Sequence, residues 1–196
     1  GAIAIGTLGY LLFNRFVVEP KEEKAANEIF QAQQYFQQAV DATEKNDSLY
    51  NLALKGGEGK LGFLGVAEQY EGTAAGNLAN YHAGMAYLNL GDFKNAITYL
   101  EKFKSDDAIL KPIALGAIGD ALSETNKVDD AIAHYKKAAE ASENDFTTPR
   151  YLLKAAQLYL TAGKKAEAHA LFVEIKEKYE TSKEGMNIDA FIAMTE

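Results

Sequence analysis

The segment Leu115–Ala138, LGAIGDALSETNKVDDAIAHYKKA, has a similar segment on each side of it in the chain. Asn80–Phe103 (NYHAGMAYLNLGDFKNAITYLEKF) precedes it, and Leu152–Ile175 (LLKAAQLYLTAGKKAEAHALFVEI) follows it. When the three segments are aligned, they stand 35 and then 37 residues apart. A fixed period of this size indicates stacked supersecondary units, which usually form an extended binding surface and seldom carry out chemistry.

The aligned segments share residue size at particular positions. Small residues coincide at Gly84, Gly119 and Ala156, alanines at Ala96, Ala131 and Ala168, and bulky residues at Leu100, Tyr135 and Phe172. Each segment therefore predicts a helix, a short turn and a second helix, with the small residue allowing the two helices to approach closely. Gly91, Asn126 and Gly163 lie in the predicted turns, and Gly and Asn tolerate the left-handed conformation that ends a helix.

This pattern resembles the tetratricopeptide repeat, over Gly76 to Tyr179. The chain departs from that family at two places. Asn80, Leu115 and Leu152 occupy the position at which a tryptophan is often found, and Glu180 occupies the position of the proline that often closes the last unit. No alternating strand pattern persists in the sequence. The resemblance implies an all-α fold, a right-handed α-α superhelix of about four helix pairs.

The predicted organisation has four parts. Residues 1–20 are expected to be the C-terminal part of a transmembrane anchor, 21–75 an irregular first helical repeat, 76–184 three repeat units, and 185–196 a C-terminal capping helix. In the irregular repeat, the spacing of apolar residues predicts one helix from Glu22 to about Lys45 and a second from Leu61 to Tyr70. Terminal units of a solenoid are atypical because their outer face meets water.

The N-terminal segment Gly1–Phe13 contains no charged residue, and Arg15 is the first charge. Since a bilayer span needs about 20 residues, we expect the sequence to begin partway through a transmembrane helix. Pro20 is expected to mark the break between this helix and the repeats. The alternatives are a helix packed on the solenoid and the remnant of a signal peptide.

A second resemblance covers nearly the whole chain. The apolar N-terminus, the sequence KEEKA at residues 21–25 and the run GFLGVAEQYEGTAAGNLANYHAGMAYLNLGDFKNAI from Gly62 to Ile97 resemble a bacterial family of membrane-anchored tetratricopeptide proteins. The resemblance implies an inner-membrane protein with periplasmic repeats. Relatives act as ancillary factors near the secretion translocon and hand proteins to periplasmic chaperones. The mixed charges after Pro20 leave the cytoplasmic face open as the alternative.

Composition and motifs argue against several kinds of chemistry. The net charge of −8 without a basic stripe argues against nucleic-acid binding, and the absence of cysteine excludes thiol catalysis and thiolate metal sites. Gly57–Gly62 matches the dinucleotide pattern G-x-G-x-x-G, but no strand precedes it, so a turn between helices is favoured. His82, His134 and His169 lack partners at metal-ligand spacing. We therefore predict no catalytic residues, no metal and no cofactor.

The remaining candidate site is the concave groove that the first helices of the repeats line in this family. The inward positions, taken by alignment, are Tyr81, Met85, Asn89, Asp120, Glu124, Arg150, Leu153 and Gln157. The Lys, Arg and Asn residues with which some relatives clamp a peptide carboxylate are missing from these places. The aromatic, methionine and acidic lining suits an extended or helical segment with apolar side chains and a basic residue. Alternatively, Tyr81 and Met85 cover the terminal helix in a closed groove.

These expectations describe a non-enzymatic, membrane-tethered adaptor that binds a partner protein or peptide segment in its groove, near the secretion or envelope-assembly machinery. One alternative is a structural subunit of an envelope complex that uses its convex face. Another is a ligand-binding protein or enzyme that uses the Gly57–Gly62 loop. Self-association through the apolar N-terminal segment is a further expectation.

Overall fold

The computed structural model describes the backbone of residues 2–196 and the side chains of residues 6–196. It is all-helical over this range, which confirms the predicted fold class. Internal packing divides the chain into two units, the first ending at Asp92 and the second spanning Phe93–Glu196. The boundary lies at the turn of the first predicted repeat, and each unit is described by itself. Gly1, part of the expected anchor, lies outside the described residues.

The first unit contains five α-helices and one π-helical segment among its described residues. The α-helices are α1 (Ala2–Phe13), α2 (Glu19–Asp41), α3 (Asp47–Lys55), α4 (Phe63–Gln69) and α5 (Ala74–Leu90), and the π-helical segment Asn14–Val18 joins α1 to α2. Helix α5 packs against α2, α3 and α4. The core between them holds Ile29, Leu54, Phe63 and Val66, each less than 5% exposed.

Pro20 does not end the N-terminal helix, contrary to expectation. Phe13, Val18 and Glu19 all keep right-handed helical backbone angles, and Pro20 lies in the first turn of α2. Proline lacks an N–H and its ring clashes with the carbonyl four residues earlier, so an ordinary helix is disfavoured at this place. The wider π-helical turn immediately before it accommodates the ring. None of the helices in residues 2–196 is both long and apolar enough to cross a membrane.

Helix α3 was not predicted, and the first long helix ends at Asp41 rather than near Lys45. The backbone turns to an extended conformation at Ala42. Asn46 then caps α3, because its side-chain oxygen accepts a hydrogen bond from the Leu49 N–H at 3.1 Å. The buried side chains of α3, among them Tyr50 and Leu54, give this short helix its stability. The irregular repeat therefore has three helices instead of two.

The start of α2 is fixed to the start of α5. Both carboxylate oxygens of Glu22 accept a hydrogen bond from the Ala74 N–H, at 3.0 and 3.2 Å, and Lys21 donates to the Glu71 carbonyl at 2.8 Å. A carboxylate at a helix N-terminus satisfies an otherwise unpaired N–H and complements the helix dipole. The long N-terminal helix therefore joins the unit at a defined place.

The second unit contains six α-helices, α6 (Phe93–Lys102), α7 (Leu110–Glu124), α8 (Val128–Glu140), α9 (Thr148–Thr161), α10 (Lys165–Lys178) and α11 (Asp189–Ala193), with a short 3-10 helix at Gly185–Asn187. Helix α7 packs on α6 and α8, and α9 packs on α8 and α10. The aligned alanines Ala96, Ala131 and Ala168 are fully buried, and their bulky counterparts are at most 4% exposed. The repeat pattern is thus confirmed in the packing.

The three predicted turns contain left-handed residues. The φ angles are 81° at Gly91, 59° at Asn126 and 75° at Gly163. At Gly91 the N–H donates to the Leu88 carbonyl, which satisfies one of the orphan groups at the end of α5. These angles confirm the sequence interpretation of the turn residues.

Helix α7 approaches its neighbours through two glycines. A Cβ atom at Gly119 would lie 2.7 Å from the Tyr135 ring of α8, and one at Gly116 would lie 2.0 Å from the Tyr151 ring of α9. Tyr135 and Tyr151 are themselves stacked, with ring centroids 6.3 Å apart, and both are less than 5% exposed. The tyrosine pair therefore fills the space that the two glycines leave open.

The C-terminal segment covers the end of α10. Phe191 of α11 packs on Phe172 with ring centroids 5.2 Å apart, and Ile188 is 1% exposed. Lys176 and Asp189 form an ion pair at 2.6 Å, and the His169 Nδ1 atom lies 2.9 Å from the Thr195 hydroxyl. These contacts bury the apolar face that the last repeat would otherwise expose to water.

Gly119→Leu is expected to lower the free energy of unfolding by about 1–3 kcal/mol, because the new side chain must displace the buried Tyr135 ring. Urea unfolding followed by circular dichroism measures this loss. Ala133→Leu, which introduces the same side chain at an exposed position of α8, is the matched control and should change stability by less than about 0.5 kcal/mol. Equal stability of Gly119→Leu and the wild type would contradict the assigned packing.

Candidate functional site

One face of the second unit brings together predicted groove residues from two helices. We call it the first-helix face; its members are Asp120 and Glu124 of α7 and Arg150, Leu153, Lys154 and Gln157 of α9. The α9 residues follow one another at helical spacing, and the Lys154 ammonium donates a hydrogen bond to Asp120 across the two helices. The structure therefore places five of the eight predicted residues on a single continuous surface.

Asp120 is held by two donors. Its Oδ1 atom accepts hydrogen bonds from the Tyr135 hydroxyl, at 2.6 Å, and from Lys154. Burial and this bond to the carboxylate raise the pKa of Tyr135 above its usual value. The Lys154 ammonium also lies 5.5 Å from the centre of the Tyr135 ring. A basic residue of a partner would have to compete with Lys154 for Asp120, so the acidic character expected at Asp120 is largely neutralised within the protein.

Two charges on the first-helix face remain available to a partner. Glu124 and Arg150 are exposed, and neither forms an ion pair among the residues that the structure describes. The Arg150 guanidinium lies 6.0 Å from the centre of the Tyr151 ring, which orients it by a cation–π contact. This arrangement can bind a carboxylate at Arg150, which favours bidentate pairing, and a cation at Glu124.

The other three predicted residues belong to α5 in the first unit. Tyr81 is half-buried, lies edge-on to His82 at 5.3 Å, and has its pKa raised by burial. Met85 is also half-buried. The exposed Asn89 amide donates to the Met85 carbonyl at 2.8 Å. Whether these residues contact a partner stays a prediction.

Sequence reasoning missed Lys154, Tyr135 and Tyr151 as parts of this face. Lys154 follows Arg150 by four residues, so helical spacing could have placed it on the same side of α9. Tyr135 carried no such signal, because its aligned position indicates core packing alone, and Tyr151 lies just before the aligned segment. Their hydroxyl and ring contacts with Asp120, Lys154 and Arg150 appear only in three dimensions.

The Gly57–Gly62 loop lacks the geometry of a dinucleotide site. It connects α3 to α4 and follows a helix instead of a strand. A Cβ at Gly62 would lie 2.3 Å from both the Gly56 nitrogen and the Leu54 carbonyl oxygen, so that glycine is needed for the loop to fold on itself. The loop is thus the turn that the sequence analysis favoured.

The histidines occupy three different environments. No group of His, Asp or Glu side chains among the described residues could hold a metal ion. The His134 Nδ1 atom lies 3.0 Å from the Asp130 carbonyl oxygen. His82 lies between Phe63, stacked at 5.0 Å, and Phe36 at 5.2 Å, and its buried Nδ1 has no hydrogen-bond partner. Burial lowers the pKa of His82 to about 4.

Comparison with known protein families agrees with this fold. Residues 79–105 and 113–145 match the sequence model of the tetratricopeptide repeat. No curated protein matches the chain. The chain therefore contains tetratricopeptide repeats over the matched residues, and the α9–α10 hairpin continues the repeat pattern beyond them. Repeats of this kind are protein–protein interaction modules and are in general not catalytic.

The lowered pKa of His82 predicts that the protein loses stability in acid. The pKa of His82 is lower in the folded protein than in the unfolded chain, about 4 against 6.5, so the unfolded chain binds the proton first as pH falls. Stability present above pH 6.5 is therefore lost between about pH 6.5 and 4, by at most about 3 kcal/mol. Urea titrations across this range measure the loss, and His82→Phe should remove that part of the slope. An unchanged slope in His82→Phe would show that other groups cause it.

Proposed function

We propose that the protein is a non-catalytic adaptor that binds a segment of a partner protein on the first-helix face. Two exposed charges, Glu124 and Arg150, support this proposal, because neither forms an ion pair among the residues whose side chains are described. They lie beside the half-buried Leu153 on one surface of the tetratricopeptide repeats. Both Glu124 and Arg150 can therefore contribute to binding.

The chemistry of this face defines the partner segment. Arg150 favours an acidic side chain, Glu124 a basic one, and Leu153 an apolar residue between them. The Lys154–Asp120 pair, with each side chain about one-third exposed, forms a rigid centre. A segment carrying both signs of charge fits this surface better than the segment with apolar side chains and a basic residue that the sequence suggested.

Membrane attachment through α1 is a second part of the proposal. Residues 2–13 contain no charge, and the side chains of Leu8, Leu11 and Phe13 are each more than half exposed. A helix that is apolar on every side favours lipid or a protein core over water. Tethering would keep the repeats near the membrane and raise the effective concentration of a partner there.

A role near the bacterial secretion or envelope-assembly machinery, with the repeats in the periplasm, rests on the family resemblance alone. The cytoplasmic face stays the alternative location. Cleavage of the repeats by protease added to spheroplasts decides between them. Protection in intact spheroplasts with cleavage after lysis would contradict a periplasmic location.

Photo-crosslinking tests the first-helix face. A photoreactive amino acid at Gln157, on this face, is expected to capture the same partner in repeated experiments, whereas one at the exposed Lys94 of α6 should not. The charge-exchanged variant Glu124→Lys with Arg150→Glu keeps the net charge and should reduce capture roughly tenfold, because both ion pairs become repulsive. Unchanged capture by the folded variant, or equal capture at Lys94, would contradict the proposal.

Flotation with lipid vesicles tests the role of α1. The wild type should float with vesicles, and Leu8→Glu with Leu11→Glu should remain in the soluble fraction, because a buried carboxylate costs several kcal/mol. Gln34→Glu with Gln38→Glu adds the same two charges at exposed positions of α2 and should float like the wild type. Flotation of the α1 variant equal to that of this control would rule out α1 as the attachment site.

A further inference from the structure

A second surface of the Phe93–Glu196 unit has the features of a binding groove. Two clefts, of about 350 and about 500 Å³, lie beside α8 and share Lys136 and Glu140 in their walls. One extends to Tyr159 and Lys164, and the other to Leu171 of α10. We call this continuous depression along α8 the outer groove.

Large apolar or aromatic side chains line each cleft of the outer groove, among charged residues. Ile132 and Tyr159 line the first cleft, and Leu152 and Leu171 line the second. Helix α9, which packs on both α8 and α10, supplies Leu152 and Tyr159. Each cleft has room for apolar side chains of a partner, within the range of volumes that ligand sites have.

The balance of charge differs between the two clefts. In the first cleft Asp129 and Lys164 pair with each other at 2.9 Å, which leaves Lys136, Lys137 and Glu140. In the second cleft Glu174 and Lys178 pair at 3.0 Å, which leaves Lys136 and the carboxylates of Glu140 and Glu143.

The four remaining charges differ in their contacts. Glu143 accepts a hydrogen bond from the Tyr179 hydroxyl at 3.1 Å. Lys136, Lys137 and Glu140 are exposed and form no ion pair within the described part of the chain. Because Lys136 and Glu140 line both clefts, the first cleft is left with a net positive charge from Lys137 and the second with a net negative charge from Glu143.

We propose that the outer groove binds an α-helix of a partner protein. Its apolar side chains enter the two clefts, its acidic residues face Lys136 and Lys137, and its basic residues face Glu140 and Glu143. Helix α8, with 13 residues, is about 20 Å long, so a partner helix of about four turns spans the groove. This surface is separate from the first-helix face, and the proposal does not rest on partner binding there.

Charge complementarity favours a partner helix over the other two occupants. The most apolar exposed helix of the chain is α1, and residues 2–13 contain no charge with which a second copy could match the groove. A lipid surface would leave the desolvated carboxylates Glu140 and Glu143 without cations. A helix with acidic residues toward one end and basic residues toward the other satisfies both ends of the groove.

Two synthetic 14-residue helical peptides of equal composition test the proposal. Both carry a leucine stripe; one has its Glu residues in one half and its Lys residues in the other, whereas the second alternates Glu and Lys. Fluorescence anisotropy should show at least tenfold tighter binding of the segregated peptide to the full chain. Amide NMR shifts should map its contacts to α8, α9 and α10.

Charge reversal at the basic end provides the protein-side test. Lys136→Glu with Lys137→Glu should abolish the preference between the peptides, whereas Lys94→Glu with Lys183→Glu, which makes the same change in net charge elsewhere, should retain it. Ala133→Trp fills the first cleft from an exposed position and should weaken binding without unfolding the protein. Circular dichroism verifies the fold of each variant.

Three outcomes would overturn the proposal. The first is that neither peptide binds at millimolar concentration. The second is an equal loss of preference in both charge variants, which would indicate a net-charge effect only. The third is that the NMR shifts map to the first-helix face, or that a copy of the chain or a vesicle displaces the peptide.

Discussion

The absence of side chains at Gly116 and Gly119 allows the rings of Tyr151 and Tyr135 to lie directly against α7. Protein interiors are close-packed, so a ring that fills such a space fixes the separation and rotation of the helices that contribute it. Here the two rings come from α8 and α9 and stack on each other. One tyrosine pair thus sets the positions of three helices.

The same pair connects the core to the surface. The Tyr135 hydroxyl reaches Asp120, Asp120 holds Lys154, and the Tyr151 ring lies beneath Arg150. Asp120, Lys154 and Arg150 therefore have defined positions before any partner binds, which lowers the entropic cost of binding. The opposite side of α9 forms the floor of the outer groove through Leu152 and Tyr159. Both proposed surfaces depend on the position of this helix.

The repeat architecture could be read from the sequence because its determinants are local. Left-handed turns need Gly or Asn, and buried helix contacts need Ala at a fixed period, so Gly91, Asn126 and Ala131 each carried a visible signal. Helix α3 was missed because an irregular repeat has no period to compare. The break that we predicted at Pro20 does not occur, because a π-helical turn accommodates the proline ring. Amino-acid composition does not reveal such a turn. For the candidate site, the sequence identified residues of the first-helix face but not their ion pairing, because Asp120 and Lys154 are 34 residues apart.

The glycine–tyrosine contacts should make α7, α8 and α9 one cooperative unit. Amide hydrogen exchange in the wild type and in Gly116→Ala measures whether they do. The added methyl group must displace Tyr151, which is 3% exposed. We expect the slowest amides of all three helices to lose protection together and by similar factors. Loss of protection confined to α9, with α7 and α8 unchanged, would contradict this expectation.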